Sequence, residues 1–274
     1  MKKIIIFLLV ILLVGCDKTP AAPESTAATT EATTIPTTEA TTIPTIEATT
    51  IPTTEPPVEE TDPPPPEHSP LYIEGLDVED VIWYFNEVCL ATEYATGSGD
   101  PSLVQKWDEP VYYEILGDAT EEDLAVIEDF FTWFNTVEGF FGAKPASDAH
   151  PANLRIYFTD EAGMTDVLGS DYTNMDGGVR YWYTDNCIYT EDICILTRLD
   201  QTLRNSVILE ELYNGTGLCQ DTTIREDSII YQYSSTNLSM SDIDKLLLQL
   251  AYHPAIRPGM NAEECENAIR NLYF

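Results

Sequence analysis

The spacing of apolar residues along the chain predicts a domain in which strands come first and helices follow. Apolar residues recur with a helical period in some segments, and in others they alternate with polar residues or gather with aromatic ones. The predicted helices are 77–92, 120–139, 206–216, 241–252 and 261–272, and the predicted strands are 110–116, 153–159, 179–183 and 193–196. This order favours an α+β fold with one mixed sheet backed by helices and a helical C-terminal half.

Capping residues mark where three of these helices begin. Thr120 precedes Asp123 at the spacing of a capping box. Ser239 or Ser241 and then Asn261 are the N-cap candidates of the last two helices. The helix after Thr120 is predicted to end near Gly139. Its predicted buried side chains are Leu124, Ile127, Phe130, Phe131 and Phe134.

The first residues of the chain have the pattern of a lipoprotein signal peptide. Two lysines precede the apolar run 4–14, which is shorter than the roughly 20 residues that cross a membrane. Leu13 and Gly15 precede Cys16 in the pattern that lipoprotein-processing enzymes recognise. We therefore expect residues 1–15 to be removed and Cys16 to be acylated, so that the protein is held on a membrane by its lipid.

The segment 16–70 predicts a disordered stalk. It is rich in Thr, Pro and Glu, and residues 31–38 recur almost unchanged from Glu39 and again from Glu47. Such a sequence has no apolar face to bury, and at about 3.1 Å per residue it could reach on the order of 150 Å. This reach suits a thick cell wall, so we expect the outer surface of a Gram-positive bacterium. The folded domain is then 71–274.

The charge of the chain excludes one class of partner. Its 13 basic and 47 acidic residues give a formal net charge of −34. Such a surface repels nucleic acid and anionic membranes, so we expect no nucleic-acid partner and contact with the membrane only through the lipid. The acidity would favour cationic partners or divalent ions, or it serves only the solubility of an exported domain.

The cysteines fit an exported protein. Besides Cys16 the chain has five cysteines, an odd number, so at least one thiol stays free or pairs between chains. Cys187 and Cys194 flank the predicted hairpin between 179–183 and 193–196, and they are the best candidates for a disulfide.

One stretch of the C-terminal half contains the candidate catalytic and binding residues. It runs from the predicted helix with Glu210 and Glu211, through Gly217 and the turn 228–230, to the helix at 241–252. This arrangement resembles the metzincin zinc peptidases, whose active-site helix reads His-Glu-x-x-His-x-x-Gly-x-x-His or Asp and precedes a Ser-Ile-Met turn. The resemblance places Glu211 at the position of the catalytic base and Gly217 at that of the chain-reversing glycine.

Other motifs resemble a bacterial exported family more closely. Glu-Glu-Leu at 210–212, Gly-Leu at 217–218, Ser-Ile at 228–229 and Arg-Pro-Gly-Met at 257–260 are similar to the domain of unknown function 2927. The resemblance spans about 107–260. It implies a single zincin-like domain whose active-site helix is degenerate.

The zinc-ligand positions of the resemblance do not carry zinc ligands. Glu210, Asn214 and Gln220 occupy them, and Ile230 replaces the methionine of the turn. Residues i and i+4 share a helix face, but zinc catalysis needs three good ligands, and amides bind zinc poorly. The three histidines of the chain lie outside the motif. We therefore expect no zinc and no other cofactor, although such oxygen ligands could hold calcium.

Two interpretations of this helix stay open. Its acids either serve packing alone or line a cleft beside an edge strand, predicted at 153–159, where metzincins bind extended peptides by strand addition. The candidates for such a cleft are Glu210, Glu211, Asn214 and Asp221. We expect a non-catalytic domain that binds a peptide or glycan in the cell wall or outside it. The alternative is an atypical metal-dependent hydrolase or peptidase with Glu211 as general base.

Overall fold

A computed structural model of the chain describes residues 69–90, 102–223, 225–232 and 237–273. The predicted signal peptide, Cys16 and the stalk as far as residue 68 lie outside the described residues. Among the described residues, no helix is long and apolar enough to cross a membrane.

The described residues form six α-helices and six β-strands. The helices are α1 (Val78–Phe85), α2 (Glu121–Phe134), α3 (Glu161–Leu168), α4 (Gln201–Asn214), α5 (Asp242–Tyr252) and α6 (Ala262–Leu272). The strands are β1 (Lys106–Trp107), β2 (Val111–Gly117), β3 (Ala143–Pro145), β4 (Leu154–Thr159), β5 (Gly177–Thr184) and β6 (Cys187–Leu196). The predicted mixture of sheet and helices is confirmed, and so are the helices of the C-terminal part.

The strands form one mixed sheet. The pairs β1–β6, β6–β4, β4–β2 and β2–β3 are parallel, and β5 is antiparallel to β6. Because β5 pairs along the whole of β6, strands β4 and β1 must share the other side of β6. Strands β1, β3 and β5 each pair with one strand only, so they are the edge strands of the described sheet.

The prediction that 153–159 is an edge strand is wrong, because β4 lies inside the sheet between β2 and β6. Its side chains do alternate, with Leu154, Ile156 and Phe158 buried. Alternation reports the two faces of a sheet, however, and not whether a strand has one neighbour or two.

The predicted hairpin is confirmed, but the predicted disulfide is wrong. Asp185 and Asn186 connect β5 to β6 with φ angles of 52° and 64°, as a two-residue type I′ turn requires. Strand β6 thus begins at Cys187 and also contains Cys194, about 20 Å further along at roughly 3.3 Å per residue. A disulfide requires Cα atoms within about 7 Å, and both thiols are free.

Helix α2 begins as predicted and ends early. The Thr120 hydroxyl accepts from the Asp123 amide at 3.2 Å, and Asp123 accepts from the Thr120 amide at 2.8 Å. The helix stops at Phe134 because the next side chain, Asn135, bonds both backbone groups of Ala143 at the start of β3. Four of the predicted buried side chains are buried, but Leu124 is 42% exposed.

Helix α4 begins five residues before its predicted start because buried polar residues interrupt the apolar pattern. Arg204 Nε donates to Asp123 Oδ1 at 3.0 Å, and Gln201 Nε2 donates to the same oxygen at 2.6 Å. Arg204 also donates to the carbonyl of Thr197 at 3.1 Å. These bonds tie the N-terminus of α4 to that of α2. Asp200 caps α4 by accepting from the Leu203 amide at 3.1 Å.

The last two helices begin at predicted N-caps. Ser241, rather than Ser239, caps α5, and Asn261 caps α6. Helix α6 lies against α1, where Arg270 forms an ion pair with Glu79. Helix α1 itself ends at Phe85 and continues as a π-helical turn to Leu90, so the predicted helix end at residue 92 lies outside the described residues.

Candidate functional site

The Glu211 side chain lies between α4 and the edge strand β5. Glu211 is 1% exposed. A Cβ atom added to Gly177 would come within 2.8 Å of Glu211 Oε1 and within 2.4 Å of Val207, so glycine at this position allows α4 to approach the strand. Burial raises the pKa of the neighbouring Tyr172, and the Glu211 charge raises it further. Glu211 is therefore a side chain of the interior.

Asn214 is fully buried one turn further along α4. Neither atom of its side-chain amide has a hydrogen-bond partner among the described residues. Its carbonyl accepts from the Gly217 amide at 3.0 Å and from the Cys219 thiol at 3.3 Å. Gly217 has a φ of 98°, and a Cβ atom there would lie 2.0 Å from the carbonyl oxygen of Gln105. Only glycine fits this turn.

Asp221 lies in the segment that follows α4. It is 5% exposed, and its Oδ1 atom has no hydrogen-bond partner among the described residues. Burial raises the pKa of Asp221 from an ordinary 3.8 to about 7. The preceding residue, Gln220, donates its backbone N–H to the carbonyl of Val88 at 3.3 Å, which holds the segment against the end of the π-helical turn.

The four predicted cleft residues do not line an open cleft together. Glu210 is half-buried, whereas Glu211, Asn214 and Asp221 are buried. Within the described ranges, no three His, Cys, Asp or Glu side chains are grouped so that they could hold a metal ion.

The Ser228–Ile229 turn is held by one buried carboxylate. Asp244 of α5 accepts from the Ser228 hydroxyl at 2.5 Å and from the Ile229 amide at 3.2 Å. It also accepts from the amide and the hydroxyl of Ser241, both at 2.8 Å. The Tyr213 hydroxyl of α4 donates to the Asp244 carbonyl at 3.0 Å. This network fixes α4, α5 and the turn relative to one another.

A further buried acid lies on β6. Glu191 is almost fully buried, and burial raises the pKa of its carboxyl well above the usual range. A Cβ atom on Gly215 would come within 1.8 Å of Glu191 Oε1, so the end of α4 packs directly on this carboxyl. Glu191 was not among the predicted site residues, because the predicted strands leave it in the loop of the hairpin.

An open groove lies at the other edge of the sheet. It has a volume of about 770 Å³ and is formed by β2, β3, the first half of α2 and the loop after β3. Its lining residues are Tyr113, Glu114, Ile115, Leu124, Ile127, Glu128, Pro145, Ala146, Ser147, Asp148, Pro151 and Ala152. We call this feature the β2 groove.

Strand β3 covers only the first half of β2. The last backbone bond between them runs from the Ala146 amide to the Tyr113 carbonyl at 2.8 Å. Successive residues of a strand point their backbone groups to opposite sides, so those of Ile115 point to the same side as those of Tyr113. In the described part of the sheet, no strand lies beside Ile115 there. The β2 groove thus opens onto an unpaired stretch of strand edge.

The walls of the β2 groove are braced. Ser147 and His150 exchange two backbone hydrogen bonds of 2.9 and 3.0 Å. The His150 ring stacks on Tyr112 with centroids 4.6 Å apart, and Tyr113 stacks on Phe131 of α2 at 4.7 Å. The groove is therefore a preformed feature of the fold.

Residues 79–271 match the model of a family described as a protein of unknown function, DUF2927. The chain belongs to this family. No curated protein and no solved structure matches the chain. Both the buried acids around α4 and the β2 groove lie inside the DUF2927 domain.

The groove of this DUF2927 domain was not predicted from the sequence. One signal was present: Leu124 follows Glu121, Glu122 and Asp123 in the first turn of a helix, where a large apolar side chain does not need to be buried. The unpaired edge at Ile115 could not be predicted from the sequence, because the apolar pattern does not encode how many residues of β2 pair with β3.

Proposed function

We propose that this chain is a lipid-anchored surface protein whose DUF2927 domain binds an extended peptide in the β2 groove without cleaving it. The observation that carries the proposal is the unpaired edge at Ile115 inside a groove of about 770 Å³. A peptide that adds to a strand edge gains main-chain hydrogen bonds, and pockets beside the edge select its side chains. The groove volume is typical of ligand sites.

The position of Glu211 favours binding over hydrolysis. A general base must come within hydrogen-bond reach of the proton that it removes. Glu211 is buried against Gly177 of β5, at the opposite edge of the sheet from the groove. A hydrolase that used Glu211 would therefore need a different arrangement of α4 and β5.

The proposed membrane anchor depends on the acylation of Cys16. We expect the wild-type chain to incorporate labelled fatty acid and to stay with the membrane fraction, and the Cys16→Ser variant to do neither, because serine gives no thioether for the lipid. Metabolic labelling and cell fractionation measure both properties. Cys187→Ser is a matched control that keeps the lipid. Retention of label by the Cys16→Ser variant would contradict the anchor.

Binding without cleavage is tested with the full chain in detergent micelles and a fluorescent hexapeptide of alternating lysine and valine. We expect saturable binding by anisotropy and an intact peptide by mass spectrometry after overnight incubation. Leu124→Ser removes an exposed apolar wall of the groove and should weaken binding about tenfold, because a buried leucine side chain contributes about 1.5 kcal/mol.

Phe141→Ser is the matched control, since Phe141 is also exposed but does not line the groove. Equal effects of the two serine variants would show that the groove is not the site. If the wild type cleaves the peptide and the Glu211→Gln variant does not, the hydrolase alternative replaces the proposal.

A further inference from the structure

The charges around the β2 groove restrict its ligand. Three of its lining residues are exposed acids, Glu114, Glu128 and Asp148, and none of the lining residues is a lysine or arginine. Along β2, side chains alternate between the two faces of the sheet. Tyr113 packs on α2, so Glu114 lies on the face away from α2, whereas Glu128 belongs to α2 itself. A strand added at Ile115 would meet carboxylates from both faces.

We infer that the β2 groove is selective for cationic extended peptides, meaning segments that present lysine or arginine on both faces of the strand, beside apolar residues. This inference rests on the proposed function and adds the ligand class. The backbone of such a peptide pairs with Ile115, and the apolar side chain on its α2 face contacts Leu124. Its cations on that face lie near Glu128, and those on the other face lie near Glu114. Opposite charges also accelerate encounter and exclude wrong partners.

Charge argues against two other occupants. The chain's own segment before the domain is acidic, with no lysine or arginine from Thr19 to Gln105. A second copy of the chain carries a net charge of −34, and like charges facing each other across a groove repel. The occupant with complementary charge is a basic segment of another molecule.

The test uses the full chain in detergent micelles and three fluorescent hexapeptides: Lys-Lys-Val-Val-Lys-Lys and its analogues with glutamine or glutamate in place of every lysine. In these sequences the substituted positions lie on both faces of the strand. We expect the lysine peptide to bind at least tenfold more tightly than the glutamine peptide, since three ion pairs of surface strength together give about that factor. The glutamate peptide should bind more weakly still. Raising the salt concentration should reduce the preference for lysine.

The double variant Glu114→Gln/Glu128→Gln should lose most of this preference. The matched control is Glu121→Gln/Asp129→Asn, which removes the same charge from exposed positions of α2 outside the groove. An equal loss in the control would assign the preference to overall charge and overturn the inference.

The remaining outcomes separate the inference from the proposed function. Equal binding of all three peptides, weakened by Leu124→Ser, would overturn charge selectivity and leave peptide binding in place. Binding of none of them would overturn both. A lysine peptide with a methylated backbone cannot donate to the strand edge and should bind at least tenfold more weakly. Unchanged binding of that peptide would contradict strand addition while the charge preference stands.

Discussion

The Asp244→Ala variant is expected to lose about 4 kcal/mol of its free energy of unfolding. Asp244 is buried and accepts four hydrogen bonds, from Ser228, Ile229 and both donors of Ser241. Removing the carboxylate leaves buried donors unpaired, and each such donor costs about 1–3 kcal/mol. Alanine also breaks the capping box of α5, because the Ser241 amide loses its acceptor while Ser241 still caps the helix. Urea unfolding followed by circular dichroism measures the loss.

A matched control lies two residues away. Asp242 occupies the first turn of the same helix but is exposed, so Asp242→Ala should cost well below 1 kcal/mol through the helix dipole alone. Hydrogen exchange adds a local measure, since the Ile229 amide should lose protection in Asp244→Ala only. Equal losses in the two variants would mean that the buried network does not hold the turn.

Asp244 illustrates which contacts could be predicted from the sequence. Helix caps are local, so Thr120 was recognised from Asp123 three positions on, and Ser241 was one of two N-cap candidates for its helix. The bond from Ser228 to Asp244 joins positions 16 apart through folding, and nothing in the local pattern encodes it. Likewise, the apolar alternation of β4 predicted a strand but not its place inside the sheet.

The candidate site also combines features that were predicted from the sequence with features that were not. The resemblance placed Glu210, Glu211 and Gly217 on one helix and the turn after it, and the structure confirms that local placement for α4 and Gly217. It did not predict that Glu211 points into the interior, because helix periodicity cannot tell which face lies under an edge strand. The disulfide prediction was wrong for a related reason. Cys187 and Cys194 could lie close together only if both flanked a long hairpin loop, whereas both belong to strand β6.

Asp221 predicts a pH dependence whose sign follows from burial. Its folded pKa of about 7 lies above the ordinary 3.8, so between these values the folded state binds a proton that the unfolded state has released. Stability contributed by this group therefore falls as pH rises from about 4 to about 7. Above pH 7 the carboxylate is charged in both states, and the full cost of burying the charge is present.

Asp221→Asn removes that cost. Since one pKa unit corresponds to about 1.4 kcal/mol, the variant should be more stable than the wild type by about 4 kcal/mol at pH 8, and the difference should vanish near pH 4. Urea titrations of both proteins at several pH values measure it. Burial also raises the pKa of Glu191 and Asp244, so only the difference between the two proteins isolates Asp221.

Asp227→Asn supplies a control of opposite sign in the same loop. The Arg225 guanidinium lowers the pKa of Asp227, so its carboxylate stabilises the fold above the ordinary pKa and this contribution is lost in acid. Because the pair is largely exposed, the variant should lose below 1 kcal/mol at pH 8. A difference for Asp221→Asn that stays constant from pH 4 to pH 8 would show that Asp221 does not titrate in this range. Burial of the carboxylate would then have to be incomplete, and the segment after α4 would have to open to water.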